Sequence, residues 1–244
     1  MTQPLLLSLL FVTLCSAQSK GPVVLELFTS EGCSSCPPAD NVVAAMDGKM
    51  APGQVEMIVL GEHVDYWDNL GWKDRFSSPL FSARQQDYGI ALRSGNIYTP
   101  QVVIDGQKEV LGSDARAISK AVSELSRAPR ATVEFRLSGR DSVHVSVSHL
   151  PSGATQADVL LAVTETGLDT IVTAGENAGR RLRHAPVVHS VTRLAELDAS
   201  RPGEYTADAH LNFRNEWVRS SLKLVLLVQD RHSRRILGSA WLKP

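Results

Sequence analysis

Two cysteines separated by two residues, in Cys33-Ser34-Ser35-Cys36, follow an apolar run and a short loop and precede Pro37-Pro38. Such a pair can cycle between dithiol and disulfide. The thiolate of one cysteine attacks a disulfide, and the second cysteine resolves the mixed disulfide that forms. The attacking role falls to Cys33 and the resolving role to Cys36, because the start of a helix offers free backbone N–H groups and a favourable dipole to a thiolate. Covalent haem attachment needs histidine directly after the second cysteine, and Pro37 stands there. A purely structural disulfide is a competing reading, although closing a loop of about four residues contributes only roughly 2 kcal/mol. A third reading has both thiolates and His63 hold Cu(I) or Zn. His63 is the sole histidine of residues 18–128, so that ligand set is short. The main reading requires neither metal nor cofactor.

The elements that must position this pair alternate in type. Val23 to Phe28 is a buried strand by its β-branched and apolar content. Pro37-Pro38-Ala39-Asp40 opens a helix running to about Met50, with proline tolerated in its first turn. Val55–Leu60 is a second buried strand, and Ser77 to Ile90 a second helix. Gln101–Asp105 and Glu109–Leu111 form a hairpin around Gly106, and Ser113 to Ser126 is a closing helix. That succession predicts an α/β domain with a small mixed sheet over residues 18–128. In residues 129–244, strand patterns recur at Thr132–Leu137, Val143–His149, Asp158–Val163, Val187–Leu194, Glu204–His210, Leu222–Gln229 and Arg235–Leu242. Short strands separated by turn residues predict an all-β, sandwich-like domain.

Composition excludes several classes. The 244 residues carry 25 basic and 26 acidic side chains and are 43% hydrophobic. No basic excess marks a nucleic-acid binder. The near-neutral total conceals an acidic first part, 10 basic against 14 acidic over residues 18–128, and a basic second part, 15 against 12. Leu5 to Leu14 is too short to span a bilayer and reads, with Ala17 as the cleavage residue, as an export signal over residues 1–17. Cleavage removes Cys15, leaves Cys33 and Cys36 as the only cysteines, and implies a secreted or periplasmic protein with no stable membrane span.

Other residues could surround the pair. Glu26, within an apolar run, must be paired, protonated or solvated at an edge; with a raised pKa it would serve as a general base. Tyr66 and Trp67 follow the second strand, at the end of the sheet where α/β sites form, and could line a groove for peptide or apolar ligand. Equally, Trp67 and Trp72 could pin a long loop to the core. Pro100 begins a strand and can adopt the cis form at a tight bend. Arg180-Arg181-Leu182-Arg183-His184 is a solvated loop, an edge-strand guard or a dock for an acidic partner. His184, His189 and His210 show no metal-ligand spacing with nearby acids.

A strand, a Cys-x-x-Cys at a helix start and a Thr-Pro before a hairpin together resemble the thioredoxin fold. The resemblance implies a cis Pro100 against the cysteine pair, with the Thr99 backbone binding substrate. It also implies a buried acid on the first strand that moves protons, and matching it to Glu26 requires a one-residue shift. Leu27 to Asp40, Val64-Asp65-Tyr66-Trp67-Asp68 and Tyr98-Thr99-Pro100-Gln101 are similar to a family of exported bacterial proteins of unassigned function with a thioredoxin-like first half. The expected function is thiol–disulfide exchange on protein or small-molecule thiols and disulfides, with a redox partner protein. The alternative is an extracytoplasmic binding protein with a static disulfide.

Overall fold

The computed structural model describes residues 21–51, 54–200 and 203–244, so the expected export segment and Cys15 lie outside the described residues. The first half runs β1 (Val23–Thr29), α1 (Pro37–Ala44), β2 (Met50–Ala51), β3 (Val55–His63), α2 (Pro79–Leu92), β4 (Gln101–Ile104), β5 (Lys108–Leu111) and α3 (Ala115–Leu125). The second half adds β6 (Thr132–Gly139), β7 (Ser142–Ser148), β8 (Gln156–Glu165), β9 (Asp169–Ile171), β10 (Arg181–Arg183), β11 (Val187–Asp198), β12 (Tyr205–His210), β13 (Leu222–Asp230) and β14 (Ile236–Leu242).

The helix expected to reach Met50 ends at Ala44. Gly48 turns the chain with φ +70, and Met50–Ala51 is drawn out as an antiparallel partner for the start of β3. Local propensity favoured more helix, but the edge of β3 offered backbone partners that a helix could not use.

Strand dominates, and one mixed sheet crosses the whole molecule in the order β14-β13-β8-β11-β3-β1-β4-β5. β1 and β3 are parallel and in register from Val23↔Met57 to Thr29↔His63, so both strands end side by side. Alternation along β1 sends Leu25 and Leu27 to a core shared with Ala39 and Val43 of α1 and Ile118 and Val122 of α3. Val24, Ile58 and Leu60 face the other way and pack with Phe81 of α2. That second core continues without a break into Leu160, Ala162, Val225 and Leu227 of the second half.

β6, β7 and β12 form a separate antiparallel sheet. Val143, Val145 and Val147 of β7 meet Val159 and Leu161 of β8 and Leu224, Leu226 and Val228 of β13, which makes this part a sandwich. β8 and β13 are therefore buried on both faces, which explains why Leu224–Val228 reads as an unbroken apolar run rather than an alternating one.

Three further contacts join the two halves beside this shared core. Gly61 N–H donates to the Pro186 carbonyl at 2.7 Å, where β3 and β11 pair at a single position, Val187↔Gly61. The β4–β5 turn at Gly106 lies so close to Arg234 that a Cβ would stand 2.0 Å from its carbonyl oxygen. Arg130, at the junction of the halves, forms a buried ion pair with Asp105, which also accepts from Val24 N–H at 2.8 Å. Among the described residues, no helix is long and apolar enough to cross a membrane.

A methyl group at Gly61 would sit 2.9 Å from the Pro186 oxygen, with backbone on both sides of the contact. Gly61→Ala is expected to lower unfolding free energy by about 1–3 kcal/mol, as overpacking of a rigid site does. Urea unfolding followed by tryptophan fluorescence measures this; an unchanged midpoint would show that the seam is not a structural constraint.

Candidate functional site

β1 ends at Thr29, and the chain turns through Ser30-Glu31-Gly32 into the cysteine pair. Cys33 N–H donates to Ser30 O at 3.2 Å and Cys36 N–H to Cys33 O at 3.2 Å, a succession of tight turns. Cys36 caps α1: its carbonyl accepts from Ala39 and Asp40 N–H at 2.9 and 3.1 Å, and Pro37 and Pro38 fill positions whose N–H groups would have no helical partner. Cys33 and Cys36 form a disulfide. Relative exposure is 0% at Cys33 and 1% at Cys36, while Ser34 and Ser35 face solvent.

The aromatic segment after β3 folds against this loop. Trp67 packs its Cβ against Gly32 and donates its indole N–H to Thr99 Oγ1 at 2.9 Å. Trp72 donates to Glu31 Oε2 at 2.7 Å. Both indoles therefore pin the loop. Tyr66 is 40% exposed, with its hydroxyl donating to Gln85 Oε1 at 3.1 Å. The same Gln85 side chain donates to Tyr98 O and Gln101 Oε1, both at 2.8 Å, so α2 fixes the segment that contains Thr99 and Pro100. The Thr99–Pro100 peptide is cis. Pro100 and Ala39 of α1 close around Gly112, where an added Cβ would meet them at 3.2 and 2.9 Å. Cys33, Trp67, Thr99 and Pro100 thus belong to one neighbourhood.

Glu26 does not join it. Glu26 alternates to the α2 face of the sheet, is fully buried, and accepts from Arg84 Nε at 2.6 Å and from the Tyr88 hydroxyl. The solvated-edge alternative is therefore wrong for this residue. Glu62 of β3 lies in the same network, 3.4 Å from Arg84 Nε. Burial, reinforced by the Glu26 charge, holds the Glu62 carboxyl well above its usual pKa, against the pull of Arg84. Arg84 also reaches Gln229 Oε1 at 3.0 Å, so this network ties α2 to β13.

The acid on the cysteine side of the sheet is Asp40, four residues after Cys36. It is buried, accepts from Thr29 Oγ1 at 2.8 Å and from Ala185 N–H at 3.2 Å. Burial raises its pKa, and His63 and His184 offset part of that. His63, at the end of β3, turns to Asp40 and His184 rather than completing a set with the cysteines. Its Nδ1 lies 2.6 Å from Asp74 Oδ2. Burial pulls the His63 pKa down, but the Asp74 carboxylate outweighs it and the net shift is upward. Asp74 is buried too, yet His63 holds its pKa below the ordinary value.

The second half supplies the cover. The chain between β8 and β11 forms an arm, the β9–β10 ribbon with the loop that joins its strands, and lies over the cysteine loop. Asn177, fully buried, donates from Nδ2 to Glu31 O at 2.9 Å and Cys33 O at 3.0 Å. Glu176 accepts from Ser34 N–H at 3.1 Å. Arg181–Arg183 of the basic cluster form strand β10 rather than a loop: Arg181 pairs outwardly with Asp169 at 2.6 Å, whereas His184, just after the strand, turns inward, 3.2 Å from Glu31 Oε1. Sequence spacing did not reveal Asp40, Asp74, Asn177 or His184. The one local signal was the four-residue step from Cys36 to Asp40, which places both on consecutive turns of a helix.

The chain matches, over residues 24–229, the family described as a protein of unknown function, DUF1223, and belongs to it. It is similar to the crystal structure of protein AGR_C_4864 from Agrobacterium tumefaciens, at 28% identity and a TM-score of 0.68, covering 91% of this chain and 93% of that one. A domain of the outer membrane lipoprotein Omp28 from Porphyromonas gingivalis aligns at 11% identity and a TM-score of 0.27, over 47% of this chain and 93% of that one. No curated protein matches the chain.

The raised pKa of Glu62 has a consequence for stability. The folded state retains a proton that the unfolded chain, with the ordinary value of 4.5, has released. Stability is therefore expected to fall as pH rises from about 4.5 toward the raised folded value. Glu62→Gln keeps the shape without the ionisation. Urea unfolding of this variant should show a flatter pH dependence and greater stability than wild type at pH 8; equal slopes would show that Glu62 ionises freely in the folded protein.

Proposed function

We propose that this DUF1223 protein is an exported thiol–disulfide exchange protein whose first half is thioredoxin-like. The reading rests on one observation: the Cys33–Cys36 disulfide caps α1 beside the cis Thr99–Pro100 peptide, with Trp67 bridging the two loops. The strand order β3-β1-β4-β5, with α1 and α3 on one face and α2 on the other, is consistent with that fold. In the reducing direction the Cys33 thiolate attacks a substrate disulfide and releases one substrate thiolate. The Cys36 thiolate then attacks the mixed disulfide, forms Cys33–Cys36 and releases the second, so two electrons pass from the pair to the substrate. The oxidising direction is the exact reverse. Thr99 and Pro100 would border the bound strand, and Tyr66 offers exposed aromatic surface nearby. Substrates would be protein or small-molecule thiols and disulfides, and turnover needs a redox partner protein. Glu26, held on the opposite face by Arg84 and Tyr88, has no part in this exchange.

The burial of both sulfurs favours a second reading, a static disulfide in a binding protein. The arm separates the two readings, because exchange requires it to lift. Asn177→Ala removes two hydrogen bonds to the cysteine loop, together about 1–3 kcal/mol. For an exchange protein, dithiothreitol should reduce the native disulfide without denaturant, and Asn177→Ala should be reduced roughly tenfold faster with its near-ultraviolet circular dichroism unchanged. A Cys36→Ala variant should then trap mixed disulfides through Cys33. Resistance to reduction until global unfolding, in both wild type and Asn177→Ala, would establish the static disulfide instead.

A further inference from the structure

Asp40, His63 and His184 come from three different elements: the first turn of α1, the last residue of β3, and the residue after β10. One ligand atom of each lies within 4.8 Å of the other two. Three features show more than proximity. His63 is 1% exposed, its Nδ1 is taken by Asp74, and its Nε2 is buried with no hydrogen-bond partner among the described residues. The His63 imidazole has a buried, hydrogen-bonded carboxylate at its other ring nitrogen, Asp74, as metal-bound imidazoles usually have. His184 Nε2 lies 3.3 Å from Thr170 Oγ1 and 3.2 Å from Glu31 Oε1, an oxygen with no hydrogen-bond partner among the described residues. A small cavity, lined by Thr29, Ser30, Asp40 and His184 among others, adjoins the cluster on the cysteine-loop side.

From this arrangement we infer that Asp40, His63 and His184 form a binding site for one divalent transition-metal ion of the zinc type. Two imidazoles and one carboxylate are a borderline donor set suited to zinc, and three protein ligands leave a fourth position for a water in the adjoining cavity. Tetrahedral bonds of about 2.0–2.2 Å put ligand atoms roughly 3.3 Å apart, so closure from 4.8 Å requires side-chain adjustment rather than a change of fold. Asp40 keeps its Thr29 and Ala185 hydrogen bonds as the support that orients a ligating carboxylate. A bound ion would join α1, the sheet and the arm at one point. The site is separate from the cysteines: it is formed while Cys33 and Cys36 are joined to each other, so it stands whether or not they exchange.

The test is titration of the full protein, disulfide closed, with Zn²⁺ and with Co²⁺ alone. One equivalent is expected to bind, with Co²⁺ giving visible d–d bands and no thiolate charge-transfer band. Histidine ring signals of the unmutated protein should change at His63 and His184, and not at His144 or His210. His63→Gln or His184→Ala should weaken binding at least 100-fold, Asp74→Asn about 10- to 100-fold, and His144→Ala or the Cys33→Ser/Cys36→Ser pair not at all. Failure of the unmutated protein to take up either ion overturns the site, and so does binding whose ring signals change elsewhere. A static disulfide, by contrast, would leave every one of these outcomes unchanged.

Discussion

The hydrogen bond from Gly61 N–H to the Pro186 carbonyl is the constraint on which the site depends. It joins β3 to β11 at one position and turns two sheets into one. With Pro186 fixed there, Ala185 N–H reaches Asp40 and His184 reaches Glu31. Glycine is required because the Pro186 oxygen occupies the space a side chain would need. Thr29 and His63 face one another across the parallel pair. The loops that follow β1 and β3 therefore emerge together, at the end of the sheet where α/β proteins place their sites.

Burial of charge around this point is heavier than stability alone explains. Asp40, His63, Asp74, Glu31 and His184 share one small volume, and a second group of Glu26, Glu62, Arg84 and Tyr88 lies across the sheet. Desolvating carboxylates is costly, and ion pairs in such places often give no net gain over apolar packing. The two groups differ in kind. The Glu26 group is centred on the Arg84 guanidinium, which ties α2 to the second half through Gln229, although both Glu62 oxygens lack a hydrogen-bond partner among the described residues. The Asp40 group keeps a ring nitrogen with no partner among the described residues and adjoins a cavity, the features expected where charge is concentrated for chemistry.

The arm sets the terms on which the cysteines meet anything else. Asn177 satisfies two carbonyls of the cysteine loop that would otherwise turn to water, and Glu176 takes the Ser34 N–H. A hydrogen-bonded cover of this kind costs only a few kcal/mol to displace. Any thiol, free in solution or carried by a protein, must displace this cover before it can reach the buried sulfurs.

Much of this architecture was legible in the chain. Val23–Phe28, Val55–Leu60 and Leu222–Gln229 announce themselves as strands because apolar, β-branched runs specify pleated, buried backbone locally, and the structure extends them to Thr29, His63 and Asp230. The cysteine pair was placed at a helix start because Pro37 and Pro38 tolerate only that position. The end of α1 at Ala44 was not legible, since the edge of β3 recruits Met50 and Ala51 from outside the window that governs helix propensity. Alternation along β1 separates Glu26 from Leu25 and Leu27, but which face carries α1 depends on the crossover and not on the strand. Asp40, His63 and His184 lie 23 and 121 positions apart, so no spacing rule connects them. Short-range preferences set the elements and put the disulfide at its corner. Strand register across the Gly61 seam brought the arm, its histidine and the buried acids to that corner, because pairing between distant segments is chosen by the packing of the whole molecule.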